Sequence, residues 1–169
     1  ARWADPGGSE AGETYVVFGS GSGFAASLDL STLNGSNGFR LEGIDADDRS
    51  GWSVSNAGDV NGDGYDDMLV GAYRADPDVG ETYVVFGSGS GFAASLDLST
   101  LNGSNGFRLD GIDAGDYSGW SVSTAGDVNG DGYADILVGA WGAAPGGDSV
   151  AGETYVVFGS GSGFAASLD

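Results

Sequence analysis

Cysteine, histidine and lysine are all absent from this chain, and methionine occurs once, at Met68. Without cysteine the fold has no disulfide staple, and nothing reports a redox compartment. Without histidine, the commonest zinc ligand and the usual general base are both missing. Basic side chains are scarce: five arginines (Arg2, Arg40, Arg49, Arg74, Arg108) face 25 acids, for a net charge of −20. Such a chain repels a nucleic-acid backbone and an anionic membrane surface. No apolar run approaches the ~18 residues that a membrane-spanning helix needs. The initiator Met and any signal-peptide pattern are missing too, so the sequence reads as a mature product, an engineered piece or an excerpt. Proline is limited to three residues, whereas glycine reaches 34 of 169, which argues against one ordinary compact domain.

Against that background one loop stands out. Asp-Val-Asn-Gly-Asp-Gly-Tyr-Asp-Asp at 59–67 returns as Asp-Val-Asn-Gly-Asp-Gly-Tyr-Ala-Asp at 127–135, an offset of 127 − 59 = 68. Oxygen-bearing side chains recur at every second position: Asp59, Asn61, Asp63, and Asp127, Asn129, Asp131. Glycines at 62, 64, 130 and 132 let the backbone curl so that these oxygens converge. Alternating carboxylate and amide oxygens around a glycine turn suit a hard cation with six to eight oxygen ligands, which is Ca²⁺. A plain turn has a similar composition, but the second copy retains every ligand position. The loop is not an EF-hand, because the twelfth position is Val70 or Val138 and not a bidentate Glu. Two Ca²⁺ per chain are expected, each clamping a tight β-turn.

The repetition extends well beyond the loops. Residues 12–41 reappear unchanged at 80–109, and their first 18 return at 152–169. The chain divides into units 1–71 and 72–139 and a partial unit 140–169. A period near 68 suits a blade of several strands. Within a unit the runs are short and β-type: Glu81–Phe86, Gly106–Ile112, Trp120–Ala125 and Ile136–Ala140. The last is continuously apolar, as for a strand buried on both faces. No helical period appears; residues 93–101 (AASLDLSTL) come closest and are read as a loop. The fold class is all-β, with about two and a fraction four-stranded antiparallel blades of a β-propeller.

At this point SVSNAGDVNGDGYDDMLVGA (53–72) and SVSTAGDVNGDGYADILVGA (121–140), each followed by a Pro loop and GETYVVFG, resemble the FG-GAP repeat of integrin α-subunit propellers. The resemblance implies calcium bound between the first two strands of a blade. Its ligands would be Asp59, Asn61, Asp63, the Tyr65 carbonyl and Asp67, and in the second copy Asp127, Asn129, Asp131, the Tyr133 carbonyl and Asp135. Two departures are visible. Ser50-Gly51 and Ser118-Gly119 stand where the family has Phe-Gly, and Tyr73 and Trp141 replace the proline of Gly-Ala-Pro.

Other features have plainer readings. Asp45, Asp47, Asp48, Asp113 and Asp116 form a second acidic patch, read as a solvated loop and not as a paired-carboxylate hydrolase site. Asn34-Gly35-Ser36 and Asn102-Gly103-Ser104 match a glycosylation sequon, yet Asn-Gly is also the strongest short turn signal. Trp52, Trp120 and Trp141 fill space between blades or stack on sugars. The expected function is a non-enzymatic, extracellular or cell-surface module for adhesion or self-assembly, with a protein or glycan as ligand. A carbohydrate-binding propeller and a designed repeat scaffold are the alternatives. Because propellers close with four to eight blades, self-association by blade completion is expected, as a homo-oligomer, a filament or a larger repeat array.

Overall fold

The computed structural model describes residues 1, 3–5, 8–147 and 150–169; Pro6, of the first Pro-containing loop, lies outside them. Eleven strands run in chain order among the described residues: β1 Glu13–Val17, β2 Gly38–Glu42, β3 Ser53–Gly58, β4 Asp67–Ala72, β5 Glu81–Val85, β6 Ser95–Asp97, β7 Gly106–Asp110, β8 Ser121–Gly126, β9 Asp135–Ala140, β10 Glu153–Val157 and β11 Ser167–Leu168. They form three sheets, ordered β1-β2-β6, β11-β7-β5-β4-β3 and β10-β9-β8. The middle sheet contains one whole blade, the antiparallel meander β3-β4-β5-β7. The flanking sheets are parts of the blades on either side. The sequence period and the blade are out of phase, since the unit boundaries fall inside β4 and β9.

The sheets stack face to face, and this explains why β4, the counterpart of the apolar run Ile136–Ala140, is apolar throughout; β9 itself buries Ile136, Val138 and Ala140 and leaves Leu137 half-buried. Successive side chains of a strand point to opposite faces. Val70 and Ala72, with Tyr83 and Val85 of β5, bury against Phe39 and Leu41 of β2. Leu69 and Val84 point the other way, into a second core with Ile136 and Val138 of β9 and Phe107 of β7. Both faces of the central blade are therefore buried, and an alternating pattern would have left one of them polar. Tyr83 is 1% exposed, and its hydroxyl donates to the Glu81 carboxylate one pleat away. That bond satisfies the one polar atom of an otherwise apolar ring.

One sequence expectation is corrected. Within 93–101, Ser95–Asp97 forms β6 and Leu98–Thr100 a single 3₁₀ turn capped by the Asp97 side chain. The strand does not pair within its own blade. It adds parallel to β2 of the preceding blade, with Arg40 opposite Ser95 and Leu41 opposite Leu96. β11 repeats this on β7, with Ser167 opposite Arg108. The segment has no usable local period because its partner lies in another blade.

Candidate metal centre

Each nine-residue loop joins the first two strands of a blade, β3 to β4 and β8 to β9. A register shift between Asn56 and Gly58, repeated between Thr124 and Gly126, bends the chain out of the ladder just before the loop. Gly62 and Gly64 then take φ of +77° and +89°, and Gly130 and Gly132 +78° and +93°. These values lie in the left-handed region that glycine enters without a Cβ penalty.

This backbone gathers amide hydrogens around the first aspartate. Asp59 Oδ1 accepts from Gly62 N at 2.7 Å and Asp63 N at 3.0 Å, and its Oδ2 accepts from Gly64 N at 2.9 Å. Asp127 repeats the three bonds at 2.7, 3.0 and 2.9 Å. Asn61 Oδ1 accepts from Asp63 N and Asp63 Oδ1 from Tyr65 N, both at 2.9 Å. Asn129 and Asp131 do the same at 3.0 Å. The last aspartate is the anchor. Asp67 is 1% exposed and accepts from Val60 N at 2.9 Å and from Gly87 N, just beyond β5, at 2.8 Å. Asp135 is fully buried and makes the equivalent bonds to Val128 and Gly159.

Burial pushes the Asp67 carboxyl up to about 6, against the pull of its two N–H donors; the charges of Asp63 and Asp59 add to the rise. A buried carboxylate facing two others is a place where a cation lowers the energy. Among the described residues no three acidic side chains stand as a ready-made cage for an ion, because the loop carboxylates are turned onto backbone N–H groups. Each carboxylate offers about four acceptor sites. Asp59 uses three and Asp63 two, the second from the Asn61 amide, so acceptor capacity remains. Asp59, Asn61, Asp63 and Asp67, and their second-copy equivalents, fit an oxygen-liganded divalent ion; zinc would prefer nitrogen and sulfur ligands.

The two loops differ in surroundings. Tyr133 lies over Gly62, and Ala134 N donates to the Asp59 carbonyl at 2.9 Å. The position that is Asp66 in the first loop is therefore an alanine in the second, packed against Gly58. Tyr65 and Tyr133 also rest on the glycine turns after β5 and β10. A Cβ at Gly89 or Gly161 would meet their hydroxyls at 2.1 and 2.2 Å. Sequence reasoning missed this role of the Gly-Ser-Gly-Ser turn, whose alternate glycines are its only trace.

The remaining expectations are refined. Asp48 and Asp116 of the acidic patch are buried, at 6% and 9% exposure, and each accepts from a backbone N–H three residues earlier at 3.2 Å. They close their own turns and do not face one another. Asn34 and Asn102 are exposed, but each side chain accepts from the N–H and hydroxyl of the following Ser36 or Ser104. Trp52, Tyr73 and Trp120 form a cluster with ring centroids 4.7–4.8 Å apart, continued by Tyr117 stacked on Trp141 at 5.4 Å. The tryptophans do bridge successive blades, while Trp120 and Trp141 stay 36% and 47% exposed.

Comparison with known proteins agrees with this geometry. The family model for the FG-GAP repeat matches residues 50–85 and 118–157. Integrin alpha pat-2 of Caenorhabditis elegans is 40% identical over 96 residues, 55% of this chain and 7% of that protein. Integrin alpha-PS2 of Drosophila melanogaster is 31% identical over 128 residues, 71% of this chain and 9% of that protein. A phosphatidylinositol-glycan-specific phospholipase D of Bos taurus is 34% identical over 116 residues, 66% of this chain and 13% of that protein. The chain thus spans a small fraction of the length of each relative.

Proposed function

We propose, from the premise that this chain carries two FG-GAP repeats of the integrin α type, that it is a calcium-stabilised propeller module for extracellular adhesion, without catalytic activity. The observation that carries the calcium reading is the pair of loops with matched hydrogen bonds over a buried aspartate, Asp67 and Asp135. Asp59, Asn61, Asp63 and the Tyr65 carbonyl would hold the ion with Asp67; Asp127, Asn129, Asp131 and the Tyr133 carbonyl would hold the second with Asp135. Bound Ca²⁺ neutralises the crowded carboxylates. The chain's own residues fix the loop between first and second strands and tie it, through Gly87 and Gly159, to the end of the third. The absence of histidine, cysteine and lysine supports the non-enzymatic reading, although one relative is named as a phospholipase.

A ligand bound only by the folded state stabilises it by RT ln(1 + [L]/Kd), about 2.7 kcal/mol per site at 100-fold saturation. Asp63→Ala with Asp131→Ala should lower the melting temperature and remove its dependence on calcium. An unchanged melting curve in chelator would sink the calcium reading. Adhesion to a protein ligand on the face bearing the loops 43–52, 73–80, 111–120 and 141–152 follows from the integrin resemblance. The half-exposed Trp120 and Trp141 favour a second reading, glycan binding by stacking on those rings. A glycan array with Trp141→Ala as control separates the two readings.

A further inference from the structure

The two acidic loops touch, and the bonds between them join residues assigned to hold the cations. Val60 is fully buried. Its N–H donates to Oδ2 of Asp67, the anchor of the first loop, at 2.9 Å. Its carbonyl accepts from Ser160 N, in the turn after β10, at 2.9 Å. Gly159, the residue before Ser160, donates its own N–H to Oδ1 of Asp135, the anchor of the second loop, at 2.9 Å. One residue of the first loop and one turn of the next blade thus connect the two buried carboxylates. The joint is tight: a Cβ on Gly159 would stand 2.8 Å from the Val60 carbonyl oxygen.

A second link starts from a ligand position. Ala134 N donates to the backbone carbonyl of Asp59 at 2.9 Å, and that N–H shares its peptide unit with the Tyr133 carbonyl. In a trans peptide the two groups point in opposite directions, and no cis bond occurs among the described residues. By holding the N–H, the Asp59 carbonyl therefore turns the Tyr133 carbonyl away from the first loop. A peptide polarised at its oxygen is also a stronger donor at its nitrogen. The Tyr133 ring, lying over Gly62, closes the contact from the side.

We infer that the two loops take up their divalent cations cooperatively, with the Tyr133–Ala134 peptide and the Gly159–Ser160 turn as the coupling elements. This rests on the calcium reading of the loops. Each loop loses freedom when its oxygens converge on an ion, and groups already ordered for one loop need not be ordered again for the other. Charge alone predicts the opposite sign, because one bound dication repels the next. It also opposes the effect in the obvious comparison. A loaded second loop sets Asp127, Asp131 and Asp135 against a dication, a net charge of −1. The same loop emptied by Asp131→Ala keeps two aspartates, a charge of −2. The field therefore favours the first ion in the disabled chain, whereas the coupling favours it in the wild type.

The test is calorimetric titration with calcium of the 169-residue chain, of Asp131→Ala and of Asp63→Ala. The product of the two wild-type association constants should exceed the product of the two single-site constants by roughly 5-fold or more, the lower end of couplings between sites. Replacing the 159–160 amide by an ester exchanges the Ser160 N–H for oxygen and changes no charge. Repeating the three titrations with that ester should cut the excess roughly twofold or more, as for losing part of one hydrogen bond. Ser160→Pro removes the same donor in an expressed chain and should act in the same direction. Single-site constants that multiply to the wild-type product, or above it, overturn the inference and leave the calcium reading standing. An ester chain that keeps the full excess also overturns it. Absence of calcium uptake by every chain overturns the calcium reading and the inference together.

Discussion

Replacing Gly62 and Gly130 by alanine, one at a time, measures how firmly the first acidic loop is keyed to the next blade. The two residues occupy the same loop position with φ of +77° and +78°, so alanine meets the same left-handed penalty, about 1–2 kcal/mol. Their surroundings differ. A methyl at Gly62 would stand 2.3 Å from Cε1 of Tyr133, whereas Gly130 has nothing within 4 Å. Overpacking of that kind costs about 1–3 kcal/mol more. In a chain of this size each kcal/mol lowers the melting temperature by roughly 2–4 °C. Gly130→Ala should therefore cost about 2–8 °C, and Gly62→Ala about 2–12 °C beyond that. The assay is thermal unfolding followed by tryptophan fluorescence in saturating calcium. Adding Tyr133→Ala to each variant closes a double-mutant cycle, and coupling should appear with Gly62→Ala only. Equal shifts for the two glycines, or no rescue on removing the ring, would refute the keyed-loop argument.

Further expectations follow from burial and charge. Phe107→Ala removes a ring that is fully buried between blades and stacked on Phe164; it should destabilise by about 3–5 kcal/mol in a denaturant titration. Phe24→Ala, at the exposed repeat equivalent of Phe92 and Phe164, should stay within about 0.5 kcal/mol. Asp48 is held at about 6 chiefly by burial, with Glu81, Asp45 and Asp47 adding like charge. Because the folded carboxyl holds its proton more tightly than the unfolded one, its contribution is full below pH ~4 and is lost as pH rises towards ~6. Asp48→Asn should flatten the stability-versus-pH slope in that window, and an unaltered slope would show that Asp48 is not its source. No turnover of polysaccharide or phosphoester substrates is expected, and activity abolished by Asp45→Asn or Asp113→Asn would overturn the non-enzymatic reading.

Much of the architecture was legible because its signals are local. The apolar run Ile136–Ala140 announces a buried strand; in β9 Ile136, Val138 and Ala140 are buried and Leu137 is half-buried, while in its counterpart β4 Val70 and Leu69 point into different cores. Alternating oxygens and glycines mark the loops, and the backbone turns there with the expected positive φ. What escaped is whatever depends on a partner distant in sequence. Ser95–Asp97 becomes a strand only because Arg40, more than fifty residues earlier, offers an edge. Asp48 and Asp116 look like any solvated acid until their own turns fold over them. The aromatic cluster joins Trp52 to Trp120 across a blade boundary, and no spacing rule predicts that encounter.

The 30 residues that repeat without change, 12–41 and 80–109, contain both halves of the joint between blades: the segment that reaches back and the outer strand that receives it. Plug and socket thus sit on one cassette. Any unit that gains a copy also gains a socket of matching cut, and any unit deleted takes its own plug away with it. An array of such cassettes can change copy number without redesign of its seams. The Pro-containing loops differ in length by four residues between 73–80 and 141–152, so length variation is accommodated there even though Tyr73 and Ala75 remain anchored between blades.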